Sequence, residues 1–344
     1  MDKARVAING FGRIGRTFFR LAYGNPNFEI VAVNDLGDVH NLAYLLLHDS
    51  TYGNSPFTAT AEDGALIIDG KRVRFTSEKE LIALPWKDER IDIVVESTGV
   101  FTAYEKAKGH LDAGAGHVVI SAPAKDEPEA SGVSGATVLM GVNTKDFASA
   151  KITSNASCTT NAASPLIAIL KSTIGIEKAL LNTVHAYTAS QALVDGPSKK
   201  DWREGRSAAL NIVPSSTGAA IATTLVHPEL KGKFDGISMR VPVPVGSIVD
   251  ITFVASRKTT VEEVNGILRD AAESPAWKEL FAATDDPIVS SDIIGARYAA
   301  IADLSFTRVV DGDLVKVLAW YDNETGYSST LVSHVAEIAK IQKQ

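Results

Sequence analysis

The stretch Arg5-Val-Ala-Ile-Asn9, followed by Gly10-Phe-Gly12-Arg-Ile-Gly15 and then by Thr17-Phe-Phe-Arg-Leu-Ala-Tyr23, restricts the architecture more than any other feature of the chain. It reads as a buried strand, a tight turn and a helix. Gly-x-Gly-x-x-Gly in that setting is the dinucleotide-binding fingerprint. Gly10 permits the turn, Gly12 lets a pyrophosphate approach the backbone, and Gly15 lets helix and strand pack closely. The helix N-terminus offers N–H donors and partial positive charge to the phosphates. The run Phe28-Glu-Ile-Val-Ala-Val-Asn-Asp35 supplies a second strand, ending in an acid where the adenosine ribose hydroxyls need an acceptor. A negative Asp35 repels a 2′-phosphate, so NAD is expected over NADP.

The pattern continues through the first half of the chain. Asp38 to Gly53 reads as helix then loop, and Leu66 to Phe75 as a hairpin with Asp-Gly at its turn. Three further strand signals cover 91–99, 117–123 and 136–143. Each apolar run ends in small or polar residues, as parallel strands do where they meet a ligand at their carboxyl ends. A doubly wound sheet is therefore expected, with Ser97, Thr98, Gly99 and Ser121 near the cofactor. Lys125 to Gly135 reads as an exposed loop.

With 344 residues, 45% of them hydrophobic, the chain is long enough for two domains. Its 34 Lys and Arg against 41 Asp and Glu leave a net charge of −7, and no nucleic-acid partner is expected. No apolar run approaches the length of a membrane span and no leader precedes the first strand, so a cytoplasmic protein is expected. The single cysteine cannot form an internal disulfide, which fits a reducing compartment.

That cysteine stands in Ile152-Thr-Ser-Asn-Ala-Ser-Cys158-Thr-Thr-Asn161, where a short β-prone run gives way to the apolar helix Ala162 to Lys171. Sulfur at a helix N-terminus sits near unpaired N–H groups and the positive end of the helix dipole, which favours thiolate. A lone cysteine also serves as a small buried hydrophobe, but a core filler does not need polar neighbours such as Ser157, Thr159, Thr160 and Asn161. A chain that holds a nucleophilic thiolate and a nicotinamide can oxidise an aldehyde through a covalent thioester. That chemistry needs a general base. Of the seven histidines, His185 alone ends a strand within a polar cluster of the second half, Ala179 to Thr188; a satisfied structural histidine is the competing reading. No metal site is expected.

The second half changes character. A long irregular segment containing Asp195-Gly-Pro-Ser and Lys199 to Arg206 follows His185, and compact domains seldom keep such a loop without use. The runs 237–255 and 314–321 alternate as antiparallel strands, 261–274 has helical periodicity, and 327–344 reads as a closing helix. The expected fold class is α/β, a Rossmann-type NAD domain plus an α+β catalytic domain with a largely antiparallel sheet. The boundaries read as 1–157, completed by the C-terminal segment 322–344, and 158–321.

Ser-Asn-Ala-Ser-Cys158-Thr-Thr-Asn resembles the active-site signature of the phosphorylating glyceraldehyde-3-phosphate dehydrogenase family. The likeness extends over Asn9 to Gly15, Glu96 to Thr102, His185 to Thr188, Asn211 to Ala220 and Trp320 to Tyr327. It implies reversible, NAD-dependent conversion of glyceraldehyde 3-phosphate and inorganic phosphate to 1,3-bisphosphoglycerate, in glycolysis or gluconeogenesis. Carried over by motif, Cys158 is the nucleophile and His185 the base. Thr188 and Arg240 hold the substrate's phosphate, and Ser157, Thr159, Arg206, Thr217 and Gly218 line the inorganic phosphate site. Arg13 and Ile14 serve the pyrophosphate, Asp35 the ribose, Lys79 the adenine side, Ser121 the nicotinamide side and Asn323 its carboxamide, with Tyr327 behind that ring. The resemblance also implies a homotetramer in which the loop from Ala186 to Ile212 packs against a neighbouring subunit. Ser190 departs from the Thr or Asp that many members show, and Val245-Gly246 stands where some have Asn-Val. The nearest alternative is erythrose-4-phosphate dehydrogenase, which uses the same Cys and His and releases an acid. A non-catalytic NAD- or RNA-binding protein is the alternative from another class.

Overall fold

The computed structural model describes residues 3–198 and 201–342. The chain forms two compact units, one built from residues up to Ala156 and from Leu331 onward, the other from Ser157 to Thr330.

The first unit is organised by a nine-stranded sheet. Across it the strands run Gly135–Thr137, Ile152–Ser154, His117–Ile120, Ile93–Glu96, Ala4–Asn9, Phe28–Asn34, Lys71–Thr76, Ala65–Ile68 and Ala59–Glu62. The first seven are mutually parallel, and the last two add an antiparallel edge. Parallel strands buried on both faces need near-continuous apolar runs, and Ile93, Val94, Val95, Val118, Val119 and Ile120 are fully buried. The hairpin turn falls on Asp69 and Gly70, both at positive φ, as a two-residue turn matched to strand twist requires. The helix after the second strand, Val39–Leu47, is capped by Asp38, whose carboxylate accepts from Asn41 N–H. The strand expected over 136–143 stops at Thr137. The Asn143 side chain accepts from Leu139 N–H and donates to the Thr137 carbonyl, which diverts those backbone groups from the ladder into a turn.

The glycine fingerprint acts as its residue types require. Gly10 has φ +95°, and a Cβ there would stand 2.6 Å from Thr98 N; a Cβ on Gly15 would stand 2.1 Å from the Gly10 carbonyl oxygen. Gly15 thus sets the approach of the helix Arg13–Ala22 to the turn. Gly15→Ala is expected to destabilise the first unit by about 3 kcal/mol, because a backbone carbonyl cannot yield as a side chain can. Thermal unfolding of the variant checks this.

The second unit has a seven-stranded sheet in the order Val213–Ser216, Phe234–Val241, Lys178–Ala186, Ser247–Val254, Leu314–Tyr321, Ala300–Val310 and Phe281–Thr284. Phe234–Val241 runs parallel to Lys178–Ala186 and Phe281–Thr284 parallel to Ala300–Val310; the other pairs are antiparallel. The helix Cys158–Thr173 buries Leu166, Ile167, Ile169 and Leu170 with Val249, Ile251, Phe253 and Val317 of the sheet. The helix Val261–Glu273 begins at a Thr260 cap, as its periodicity predicts.

The closing helix, Thr325–Ile341, divides between the units at residue 330, later than the expected boundary at 322. Its start is fixed within the second unit by Asp322, which accepts from Thr325 N–H and Gly295 N–H. Its later half is fixed within the first unit by His334, which meets Asn155 and Thr153. Among the described residues no helix is long and apolar enough to cross a membrane.

Candidate active site

Cys158 is the first residue of its helix. Ser157 caps that helix, its hydroxyl accepting from Thr160 N–H at 3.1 Å. The strand Lys178–Ala186 alternates, burying Ala179, Leu181, Thr183 and His185 on one face. This brings His185 Nε2 to 3.4 Å from Cys158 Sγ. Arg240 is carried beside His185 by the parallel register of the neighbouring strand.

The other imidazole nitrogen is contested. Nδ1 lies 2.7 Å from the Ala186 carbonyl, which can only accept, and 2.6 Å from Arg240 Nη1, which can only donate. Arg240 Nη1 also reaches the Ala186 carbonyl at 3.3 Å. With the proton on Nδ1 and donated to Ala186, the Nε2 lone pair faces the thiol, the orientation a base needs. Arg240 has no acidic partner among the described residues, and its buried Nε lacks an acceptor. A cation in that state calls for an anion.

Burial, with the Arg240 charge adding to it, pushes the His185 pKa down to about 3, against the pull of the Ala186 carbonyl. Burial also pushes the Cys158 thiol up, outweighing the downward pulls of Arg240 and Thr159. Burial thus works against the helix N-terminus that favours thiolate. Loss of hydration disfavours the charged form of both groups.

A chain of hydroxyls runs beneath the pair. Thr183 donates to the Ile248 carbonyl at 3.2 Å, so it accepts from the Tyr321 hydroxyl at 2.8 Å, which in turn accepts from Thr159 at 2.8 Å. The Tyr321 ring stands edge-on to His185, centroids 5.9 Å apart. Burial holds the Tyr321 pKa above its usual value. Beside it, Ser247 donates to Asn323 Oδ1 and accepts from Ala186 N–H, and Gly246 N–H also donates to Asn323 Oδ1. That anchoring turns the Asn323 amide nitrogen into the available donor.

In the first unit a cavity of about 490 Å³ is lined by Asn9, Gly10, Gly12, Asp35, Lys79 and Thr98, among others. A Cβ at Gly12 or at Gly99 would meet nothing within 4 Å, so the backbone there is open to a ligand. Asp35 accepts from Phe11 N–H at 2.6 Å and Gly37 N–H at 2.8 Å, tying the second strand to the glycine turn. The cavity, the bare glycine backbone and the carboxylate fit a dinucleotide.

The comparisons agree with these features. The family model described as the glyceraldehyde 3-phosphate dehydrogenase NAD binding domain matches residues 4–104, and that of the C-terminal domain matches 157–323. A glyceraldehyde-3-phosphate dehydrogenase of Mycolicibacterium smegmatis is 49% identical over 345 residues, covering 98% of each chain. One of Borreliella burgdorferi is 47% identical over 343 residues, covering 98% of this chain and 100% of its own. The chain belongs to the glyceraldehyde 3-phosphate dehydrogenase family. Its first unit is accordingly an NAD-binding domain.

Family membership leaves the expected residues to be placed one by one. Arg13 does not extend a free guanidinium toward a cofactor: it pairs with Asp49 and lies 5.7 Å from the Tyr52 ring centroid. Arg13 and Ile14 therefore offer their backbone at the helix start. Ser121 ends the strand His117–Ile120, its N–H donating to the Glu96 carbonyl. Thr188 and Ser190 share a 3.0 Å hydroxyl contact. Thr217 accepts from Ala219 N–H before the helix Ala219–Val226, and Gly218 faces open space. Tyr327 is buried in the first turn of the closing helix.

Arg206 stands apart from the Cys158 cluster. It is exposed and paired with Asp195 at 3.0 Å in a loop that closes on itself through Ala192, Gly196 and Ala208. Lys199 and Lys200 of that loop lie outside the described residues. The residues missed from sequence are Thr183, Tyr321 and Ser247. Strand alternation was the available signal for Thr183, two residues before His185; Tyr321 and Ser247 come from strands whose pairing the sequence does not reveal.

Proposed function

We propose that the chain catalyses NAD-dependent oxidative phosphorylation of glyceraldehyde 3-phosphate to 1,3-bisphosphoglycerate through a thioester on Cys158. The observation that carries this is the 3.4 Å approach of Cys158 Sγ to His185 Nε2 beside an Arg240 that has no acidic partner among the described residues. Cys158 passes its proton to His185 Nε2 as the sulfur bonds to the aldehyde carbon, and the proton returns to the new oxyanion to give a hemithioacetal. His185 then takes that hydroxyl proton as the thioester forms. The nicotinamide supplies, when bound, the acceptor for the hydride. Inorganic phosphate attacks the acyl carbon, Cys158 leaves as thiolate, and His185 returns its proton.

Arg240, with Thr188, suits the substrate's phosphate, since guanidinium donors match phosphate oxygens. An anion there also offsets the positive charge that holds the imidazole neutral, making His185 a better base when substrate is present. Ser157, Thr159, Thr217 and Gly218 are assigned to inorganic phosphate, where Gly218 keeps open space at a helix start. Arg206, paired with Asp195 in its loop, is assigned to the same phosphate. Asp35, Thr98, Lys79 and the backbone of Gly10 to Gly15 hold NAD in the first unit; Ser121, Asn323 and Tyr327 serve its nicotinamide end. The loop exposes Leu193, Val194, Trp202, Leu210 and Ile212, an apolar set suited to a neighbouring subunit of a homotetramer. A cytoplasmic location suits the single reduced thiol.

The test is NADH formation from glyceraldehyde 3-phosphate with and without inorganic phosphate. Sustained turnover is expected only with phosphate. Sustained turnover indifferent to phosphate would instead indicate thioester hydrolysis, as in the erythrose-4-phosphate reading.

A further inference from the structure

Behind the NAD-binding cavity lies a buried polar network that none of the reaction steps above uses. Glu96 is 1% exposed at the end of its strand, and His110 and Trp86 are fully buried. The Glu96 carboxylate accepts four hydrogen bonds. Asn9 Nδ2 and His110 Nε2 reach Oε2 at 2.6 and 3.0 Å, while Thr98 N–H at 2.8 Å and the Thr98 hydroxyl reach Oε1. Thr98 is the wall of the cavity and the residue against which Gly10 turns.

The donors on the far side cannot reverse. The Trp86 indole, which only donates, bonds His110 Nδ1 at 3.0 Å, so the neutral His110 proton sits on Nε2 and points at Glu96. Asn9 is equally fixed: its Oδ1 accepts from Asn34 Nδ2, and Asn34 Oδ1 accepts from Thr76 Oγ1 and Glu78 N–H. Glu96 therefore transmits a fixed hydrogen-bond pattern from Trp86, His110 and Asn34 to the Thr98 backbone.

We propose that Glu96, oriented by His110, is a positioning residue that sets the shape of the NAD cavity through the Thr98 loop. This rests on the NAD-binding assignment of that cavity. It acts through Thr98 and touches no reacting atom.

The consequence is specific. In Glu96→Gln the amide oxygen must face His110 and Asn9, so the amide NH₂ faces Thr98. The Thr98 hydroxyl can rotate to accept from it, but the Thr98 N–H cannot, and two donors then oppose each other inside a buried site. The disturbance falls on the cavity wall. Titration of Glu96→Gln with NAD, followed by protein fluorescence, is expected to show a Kd raised about tenfold. Turnover at saturating NAD and the rate of Cys158 alkylation by iodoacetamide in NAD-free protein should stay within about twofold, which generalised unfolding would not allow. An unchanged Kd in the folded variant, or a fall in alkylation that tracks the loss of NAD affinity, would overturn the proposal. If Glu96→Gln does not fold, His110→Leu and His110→Gln replace it. Leu removes the donor and should weaken NAD binding, whereas Gln supplies an amide N–H and should restore it; equal affinities would overturn the proposal. Failure of the wild-type protein to bind NAD would remove the NAD assignment itself, a result distinct from either.

Discussion

Cys158→Ser is expected to bind NAD as the wild type does and to form no measurable NADH from glyceraldehyde 3-phosphate, while His185→Asn retains a residue of activity reduced about 10²- to 10⁴-fold. The difference follows from what each atom does. Only sulfur ionises readily enough to add to the aldehyde with an imidazole as its sole base; a serine hydroxyl at the same helix start is a much poorer nucleophile. His185 moves protons without forming a bond to carbon, so water can replace it at a cost in rate. Asparagine keeps a polar group toward Ala186 but offers no basic nitrogen at the Nε2 position, 3.4 Å from the sulfur. Steady-state rates on both variants, with NAD binding measured alongside, check the assignment. Loss of all turnover in Cys158→Ser and a loss of about 10²- to 10⁴-fold in His185→Asn, both at unchanged NAD affinity, fit the proposed roles, but wild-type turnover by Cys158→Ser would remove the covalent route.

The cysteine and the glycine turn were legible in sequence because their requirements are local. A residue at +95° φ must be glycine whatever surrounds it, and a Ser-Cys pair before an apolar run places sulfur at a helix start by covalent connection alone. The register that lays His185 beside Arg240 is not local: the two lie on neighbouring parallel strands, separated in sequence by the loop that carries Arg206. The resemblance gave each residue a role, but neither it nor alternation revealed that pairing. Where the resemblance gave a side chain a role, the physics sometimes took another course. Arg13 finds Asp49, 36 positions away, and Arg206 finds Asp195 within its own loop. For the Cys158 thiol, dipole and neighbours were visible in the residue string, but the partial burial that opposes them is a property of the packed unit.

The chain is also expected to lose stability steeply as pH falls below about 6.5, the ordinary histidine value. His117, His334 and Thr153 form a buried series in the first unit. His334 Nδ1 donates to Asn155 Oδ1, its Nε2 accepts from the Thr153 hydroxyl, and that hydroxyl accepts from His117 Nε2. His334 is thereby satisfied at both nitrogens as a neutral imidazole, and His117 donates from Nε2. Burial, with Lys151 nearby, pushes His117 down to about 3; burial, with His117 nearby, pushes His334 well below its ordinary value. A group whose folded pKa is depressed takes up its proton first in the unfolded chain, so the unfolded state binds more protons between the two values and stability falls with pH throughout that window. His117 contributes a slope of about 1.4 kcal/mol per pH unit and so removes roughly 2 kcal/mol between pH 6.5 and 5, and His334 shifts stability in the same direction. The His117 contribution ends near pH 3, where the folded form protonates too. His117→Gln keeps an N–H for Thr153 and has nothing to titrate, so proton uptake on unfolding at pH 5 should fall by about one. The same uptake in wild type and variant would show that the His117 ring is already charged in the folded protein, and that burial does not hold it neutral.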